Sequence, residues 1–380
     1  MKNKIKRVFI VGLITYILIE ITCFIFIKTG YIGAKLPQFF TDPLDTVTYP
    51  FTYADVNEHW GIWHYNYPAK VQLGEITLEC NPNSVGARDK ERTRTSTDTN
   101  RIVVLGDSFI EGYGVSENKR VSNLLEAATG HEFLNFGCSD MGNTQEYLVY
   151  KHLASGYSHN TILWGILPVN DFMNDNSQFY ESQSPLRYKP YWKGSYPNKE
   201  LYYYTDSLNK TQFNYEAFKK YKSTKKYKVR HVLENITCWF NIVYFLAKKK
   251  GAADVVAHAA KTGMPYTGYY DYSQQDFDQL KQSLHAVRTL APHKRIIVFT
   301  IPIAADFHRF ITTRQTPPLV KQLQEFCTSE NITYTDLMTT ATPTDLQQYK
   351  KQFFKTDMHW NDYGNEWAAK KLLPYFIPNK

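Results

Sequence analysis

Val103–Val115 reads VVLGDSFIEGYGV. Three apolar residues run into Gly-Asp-Ser, which sets Ser108 where a buried strand should stop. A serine hydroxyl is a weak nucleophile until a base takes its proton. A base lies near the other end of the chain, where FKTDMHWNDYG carries Asp357 and His359. Aspartate fixes the tautomer of an imidazole and stabilises it once charged, and the imidazole then draws the proton from serine. Acyl transfer also needs donors for the developing oxyanion, and losing one costs about 3–4 kcal/mol. Three are on offer: the N–H of Ser108, the bare N–H of Gly137 in NFGCSDMGN, and the side-chain amide of Asn170 in LPVNDF. Asp107 and Asp171 are expected to brace their loops through backbone hydrogen bonds.

These residues need a scaffold that brings strand ends together. From Arg101 the pattern alternates. RIVVLG is a short apolar run ending at glycine, as a buried parallel strand would be. Lys119–Thr129, stopped by Gly130, reads as a helix. EFLNFG is a second strand. Asn143 and Glu146 have capping-box spacing before a helix that stops near Gly156. TILWGIL is a third strand. Ser273 precedes Phe277, Leu280, Leu284 and Val287 at helical spacing. RIIVFTIPI is a fourth strand, Leu319, Leu323 and Phe326 mark a helix, ITYTDL is a fifth strand, and a last helix runs near Tyr363–Leu373. Strands alternating with helices imply right-handed crossovers and a parallel sheet covered on both faces. Such sheets bind ligands beyond the C-terminal strand ends.

At these residues the chain resembles the SGNH/GDSL hydrolase superfamily, named for Ser, Gly, Asn and His in separate blocks. GDSF carries Ser108, NFG carries Gly137, PVND carries Asn170, and DMHWN carries Asp357 and His359, in the family's order. NSVGARD upstream and GNTQEY after the second block resemble membrane-anchored bacterial members. The resemblance spans about residues 100–375. It implies a three-layer α/β/α flavodoxin-like sandwich with a parallel five-stranded sheet, esterase or acyl-transfer chemistry, and no metal or organic cofactor. Two departures stand out. One residue separates Asp357 from His359 where many members have two, which implies either a lesser role for the aspartate or that Asp362 could be mistaken for it. Pro168 also stands where glycine is commoner.

The 380 residues are 43% hydrophobic and 21% charged, enough apolar content for one large globular domain with elaborations. The net charge of +8 suits solubility more than any specific acidic partner. No Cys/His spacing suggests zinc, and no motif suggests nucleic acid. The five cysteines are scattered and read as buried free thiols. Lys2, Lys4, Lys6 and Arg7 precede Val8–Ile27, a run long enough to span a bilayer. The positive-inside rule places the remaining chain outside the cytoplasm. A cleaved signal peptide is the rival reading, although no small-x-small site follows the run. Glu20 interrupts the run and is costly there unless protonated or paired.

The sequence thus divides into a cytoplasmic tip and transmembrane anchor (1–30), a β-rich extension (31–100), a hydrolase domain (101–174 and 273–380) and a Tyr/Lys-rich insertion (175–272). YPFTY, HWGIWHYNYP and KVQLGEITLEC in the extension are aromatic or alternating, which suits short strands and loops. CWFNIVYFLA in the insertion is too short to span a membrane and reads as a buried or interfacial helix. The expected function is a serine esterase acting through an acyl-enzyme on an acylated, preferably acetylated, glycan of the envelope or exterior, because exposed aromatics stack on sugar rings. An O-acyltransferase would use the same residues. A non-catalytic glycan-binding or assembly protein on the same scaffold is the third reading.

Overall fold

The computed structural model describes residues 2–34, 36–37, 55–57, 59–64, 69–177, 189–203, 225–250 and 266–377. The YPFTY segment of the extension and much of the Tyr/Lys-rich insertion lie outside them.

The centre is a five-stranded sheet. Its strands are β5 (Ile102–Leu105), β6 (Phe133–Asn135), β7 (Thr161–Ile166), β10 (Arg295–Thr300) and β11 (Thr333–Asp336), and every pairing is parallel. The spatial order β11-β10-β7-β5-β6 is the flavodoxin-like one, with its switch point between β5 and β7. Apart from Arg295 and Thr333 at their starts, these strands are buried on both faces, which explains the apolar runs of β5, β7 and β10; β11 buries Thr335 and Asp336 as well.

Alternate residues feed two cores. Val103, Leu105, Ile162, Trp164 and Val298 pack under α4 (Asn143–His152), α8 (Gln274–Leu290) and α10 (Pro318–Ser329). Ile102, Val104, Leu163, Ile297 and Phe299 pack under α2 (Ser108–Glu111), α3 (Val121–Thr129), α9 (Ala304–Thr313) and α12 (Asp362–Leu372). The architecture is therefore a three-layer α/β/α sandwich. Between the last strand and α12 lie α11 (Pro343–Gln348) and a 3-10 turn at Tyr349–Gln352, neither evident in the sequence.

Local chemistry sets the helix starts. Ser273 caps α8: its Oγ accepts from Asp276 N–H, and Asp276 accepts from Ser273 N–H. The expectation for α4 needs correction. Gly142 is the cap, its N–H donating to Gln145 Oε1 at 2.8 Å, which turns the Asn143 amide inward. Pro168 opens α5 (Pro168–Asn174) at the first helical position, where a missing N–H costs nothing.

The extension contributes two antiparallel hairpins, β1 (Asp55–Asn57) with β2 (Gly61–Trp63) and β3 (Ala69–Leu73) with β4 (Ile76–Cys80). The insertion contributes the hairpin β8 (Pro190–Lys193) with β9 (Glu200–Tyr203), and two helices, α6 (Lys225–Ile236) and α7 (Cys238–Lys250). α1 (Lys2–Lys28) contains a stretch, Lys4–Lys28, whose most apolar 18 residues have a mean hydropathy of 2.5, long and apolar enough to cross a bilayer or to serve as a signal sequence. All five cysteines are free, and Cys80, Cys138, Cys238 and Cys327 are buried.

After the insertion the chain returns at Gly268, directly against the first turn of α5. A Cβ there would lie 2.3 Å from both Pro168 C and Val169 N. Backbone cannot yield as a flexible side chain would. Gly268→Ala is expected to destabilise by about 1–3 kcal/mol, the range for overpacking. Urea unfolding in detergent checks this, and an unchanged midpoint would contradict the packing.

Candidate active site

Ser108 sits at the head of α2, just past the end of β5. Asp107 takes the capping role, its Oδ1 accepting from Phe109 N–H at 3.0 Å. The serine hydroxyl is thereby left for another partner. That partner is His359, whose Nε2 lies 2.7 Å from Ser108 Oγ although 251 residues separate them. On the other side of the ring, Nδ1 lies 2.5 Å from Asp357 Oδ1. The His359 backbone N–H also donates to Asp357 Oδ1, at 2.9 Å, which the one-residue spacing permits. Asp357, not Asp362, is the carboxylate on the ring; Asp362 opens α12.

The loop bearing these residues is held shut. Phe353 bridges Trp360 across it, Phe354 N–H donates to His359 O at 3.1 Å, and Asn361 N–H donates to Gln352 O at 3.0 Å. Tyr113 stacks on the imidazole with ring centroids 4.1 Å apart, and Phe109 packs at 5.0 Å. Burial raises the Asp357 carboxyl. The His359 ring bond and charge, with backbone N–H groups, outweigh it and hold the carboxyl below its ordinary range. Asp357 thus faces the ring as a carboxylate.

The expected donors fall out unequally. Ser108 N–H belongs to the first helical turn, whose amides have no intrahelical acceptor. Asn170 Nδ2 donates to Asp107 Oδ2 at 3.2 Å, which aims the amide and leaves its second hydrogen for another acceptor. Gly137 departs from expectation. Its N–H already donates to Asn135 Oδ1 at 2.9 Å. Glycine is required there for another reason: a Cβ would lie 2.4 Å from Glu111 N. The strand-end loop after β6 packs directly on α2, so Gly137 could serve an oxyanion only by giving up that bond.

Asp171 braces its loop. Its Oδ2 accepts Leu167 N–H at 2.9 Å and Asn143 Nδ2 at 3.0 Å. Asn143 Nδ2 also reaches Glu146 Oε2, at 3.1 Å, which accepts Trp164 Nε1–H at 2.6 Å. Glu146 Oε1 and Asp171 Oδ1 are buried without a hydrogen-bond partner among the described residues. Burial, together with the neighbouring Asp107 and Asp175 carboxylates, pushes Glu146 up to about 8, although the Trp164 and Asn143 bonds pull it down. Burial and Glu146 raise Asp171 well above its ordinary value. Burial also raises Asp107, against the pull of Phe109 N–H and the His359 charge.

A second layer escaped the sequence reading. Arg88, from NSVGARD, donates through Nη1 to Glu111 O at 2.9 Å and Gly112 O at 2.6 Å, and through Nη2 to Val115 O at 2.8 Å. It thereby ties down the chain following Ser108. Glu111 Oε2 accepts Ser139 N–H at 2.6 Å, and His64 Nε2 lies 3.5 Å from Oε1. Burial raises Glu111, but His64, Arg88 and Ser139 together hold it at about 2. No spacing rule links His64, Arg88 and Glu111; a charged residue inside the apolar FIEGYGV run was the only signal. Among the described residues, His64, Glu111 and Cys138 each bring a possible metal-ligating atom within 4.8 Å of the others. The Glu111 charge there is already met by protein donors and by Arg88.

No protein-family model matches the chain, and no curated protein matches it. Among solved structures, it is similar to a member of the lipolytic protein G-D-S-L family from Veillonella parvula (13% identity, TM-score 0.36, covering 73% of this chain and 98% of that one). It is also similar to a GDSL-like lipase from Bacteroides thetaiotaomicron (10%, 0.37, 75% and 93%). A third similar structure is an acetyl xylan esterase (12%, 0.36, 73% and 100%). At these identities and scores the likenesses add nothing to the chemistry, which stands on the site's own geometry. The strand order is that of the expected flavodoxin-like sandwich.

The buried acids yield a stability test. A carboxyl raised in the folded state holds a proton that the unfolded chain has already lost. Glu146 therefore costs stability progressively as pH rises from its ordinary 4.5 to about 8. Glu146→Gln keeps the acceptor and cannot ionise. Its melting temperature is expected to gain on the wild type by about 3 °C or more between mildly acidic and alkaline pH. Parallel melting curves across that range would contradict a protonated Glu146.

Proposed function

We propose that the chain is a serine esterase that works through an acyl-enzyme on acylated glycans. The contact that carries the reading is His359 Nε2 against Ser108 Oγ at 2.7 Å, with Asp357 on the opposite ring nitrogen. His359 takes the Ser108 proton as Oγ attacks the ester carbonyl. The Ser108 N–H and the second Asn170 amide hydrogen receive the oxyanion. His359 then returns the proton to the departing alcohol. Water, activated by the same imidazole, releases the acyl group as a carboxylic acid and restores Ser108.

The glycan preference is supported by the tyrosine-rich insertion and by Tyr113, whose ring stacks on His359 at the reacting centre. The location is supported by α1. With Lys2, Lys4, Lys6 and Arg7 at its cytoplasmic end, the helix anchors the chain and leaves the site on the far side of the membrane. An acetylated sugar on the envelope or outside it is then the substrate class within reach. A sugar hydroxyl could replace water in the second step, so product analysis decides between hydrolysis and transfer. Free acetate, undiminished by added sugar acceptor, is the expected result. Accumulating acyl-sugar would overturn hydrolysis as the main reaction.

The residue roles separate in kinetics on a small acetyl ester. Ser108→Ala is expected to abolish turnover with folding intact. Asp357→Asn, which leaves the imidazole in the wrong tautomer, is expected to lower kcat by about 10⁴. Asn170→Ala is expected to lower kcat by about 10²–10³ with little change in KM. Full activity in Ser108→Ala would sink the assignment.

A further inference from the structure

Glu20 is the one acidic residue inside the apolar stretch of α1, and the structure gives it a partner. Its Oε2 accepts the backbone N–H of Cys238 at 2.7 Å. That amide is the first of α7, so the carboxylate sits at the positive end of a helix. Cys23, Phe24 and Ile27 of α1 pack with Cys238, Ile242 and Phe245 of α7. The helical hairpin α6–α7 thus rides on the side of α1, its turn level with Glu20. Seven residues separate Glu20 from Ile27, about 10 Å of helix.

The hairpin's outward face is apolar. Val229, Val232 and Ile236 of α6 continue into Trp239, Val243 and Leu246 of α7 at three- and four-residue spacings, and all are 36–59% exposed. Beside them, Ile14, Ile17, Leu18, Ile21 and Ile25 of α1 are exposed as well. The two faces belong to elements packed on each other, and such a stripe suits a helix lying in lipid. The ends are basic in sequence: Lys225, Lys226 and Lys228 at one, Lys248, Lys249 and Lys250 at the other.

Hydrocarbon demands that the polar groups of irregular backbone be satisfied internally, and several at this turn are, although Glu20 Oε1 is buried without a hydrogen-bond partner among the described residues. Thr237 N–H and Oγ1–H both donate to Leu233 O at 3.0 Å. Asn241 Nδ2 donates to Glu234 O at 2.9 Å. Glu20 takes the Cys238 N–H. Arg230, higher on the hairpin, pairs with Glu234 at 2.6 Å.

We infer that the α6–α7 hairpin is a second membrane element, inserted tip-first into the outer leaflet of the bilayer that α1 crosses. The inference rests on α1 being a membrane-spanning anchor. Lipid acyl chains cover the Val229–Leu246 stripe, Lys225 and Lys228 reach the headgroups, and Glu20 is tolerated because its Oε2 caps α7. The catalytic domain is then held by two attachments rather than swinging on one helix.

The full chain in phosphatidylcholine–phosphatidylglycerol vesicles tests this by depth-resolved tryptophan quenching. The Trp239 signal is the difference between wild type and Trp239→Phe. Ile14→Trp reports separately on α1, and circular dichroism confirms that both variants fold. Loss of the Trp239 signal with lipids brominated along the acyl chain, and protection from iodide on both sides, is expected. Quenching of Trp239 by iodide alone, with Ile14→Trp still quenched by brominated lipid, would overturn the hairpin and leave the anchor standing. Shielding of Trp239 from both quenchers would put protein in place of lipid and overturn it too. Failure of brominated lipid to reach either site would remove the anchor and the hairpin with it.

Discussion

One hydrogen bond organises the molecule: His359 Nε2 to Ser108 Oγ. It joins the first strand end of the sheet to a loop 251 residues later. Neither residue can find the other by local structure. The parallel order β11-β10-β7-β5-β6 makes the meeting possible, because every strand delivers its following loop to the same edge. The switch point between β5 and β7 then splits the loops apart, with Ser108 on one side and Asn170 on the other. Two cores hold that arrangement, one on each face of the sheet. The Phe353–Trp360 bridge fixes the histidine loop.

Beneath the nucleophile lies an acidic layer with little counter-charge of its own. Asp107, Asp171, Glu146 and Asp175 are all buried, and burial is the largest influence raising each of them. Asn143, Leu167 N–H and Trp164 supply the hydrogen bonds that make such burial tolerable. On the other flank Glu111 behaves oppositely. His64, Arg88 and Ser139 hold it ionised. The two carboxylate environments differ because the Arg88 guanidinium and the His64 and Ser139 contacts offset burial at Glu111, whereas hydrogen bonds do not offset it at Asp107, Asp171 and Glu146. Both end in the same mechanical result, a rigid frame for the turn that carries Ser108.

Much of this was legible in the sequence because its signals are local or repeat at short range. Short apolar runs gave four of the five strands, and the helical spacing of Phe277, Leu280, Leu284 and Val287 after Ser273 gave α8. Asp-x-His on one loop placed acid and base together. What stayed hidden depends on long-range contact. Gly137 was expected to be an amide donor, yet its close approach to Glu111 requires glycine, and its N–H turns to Asn135 Oδ1. Asn143 matched a capping pattern, but Gly142 took the cap and freed the amide for Asp171 and Glu146. Arg88 reaches carbonyls more than twenty positions away, which no periodicity encodes. Glu20 looked like a defect in an apolar helix until Cys238, 218 residues distant, supplied the N–H that it accepts.

The central claim is that the imidazole of His359, oriented by Asp357, makes one hydroxyl reactive. Labelling by a fluorophosphonate, read by mass spectrometry of the peptides, measures that reactivity without any assumption about the natural substrate. The account expects a single modified residue, Ser108, in the wild type, and no modification in His359→Ala at the same protein and reagent concentrations. Labelling of a different serine, or equal labelling of Ser108 in the absence of the imidazole, would contradict it.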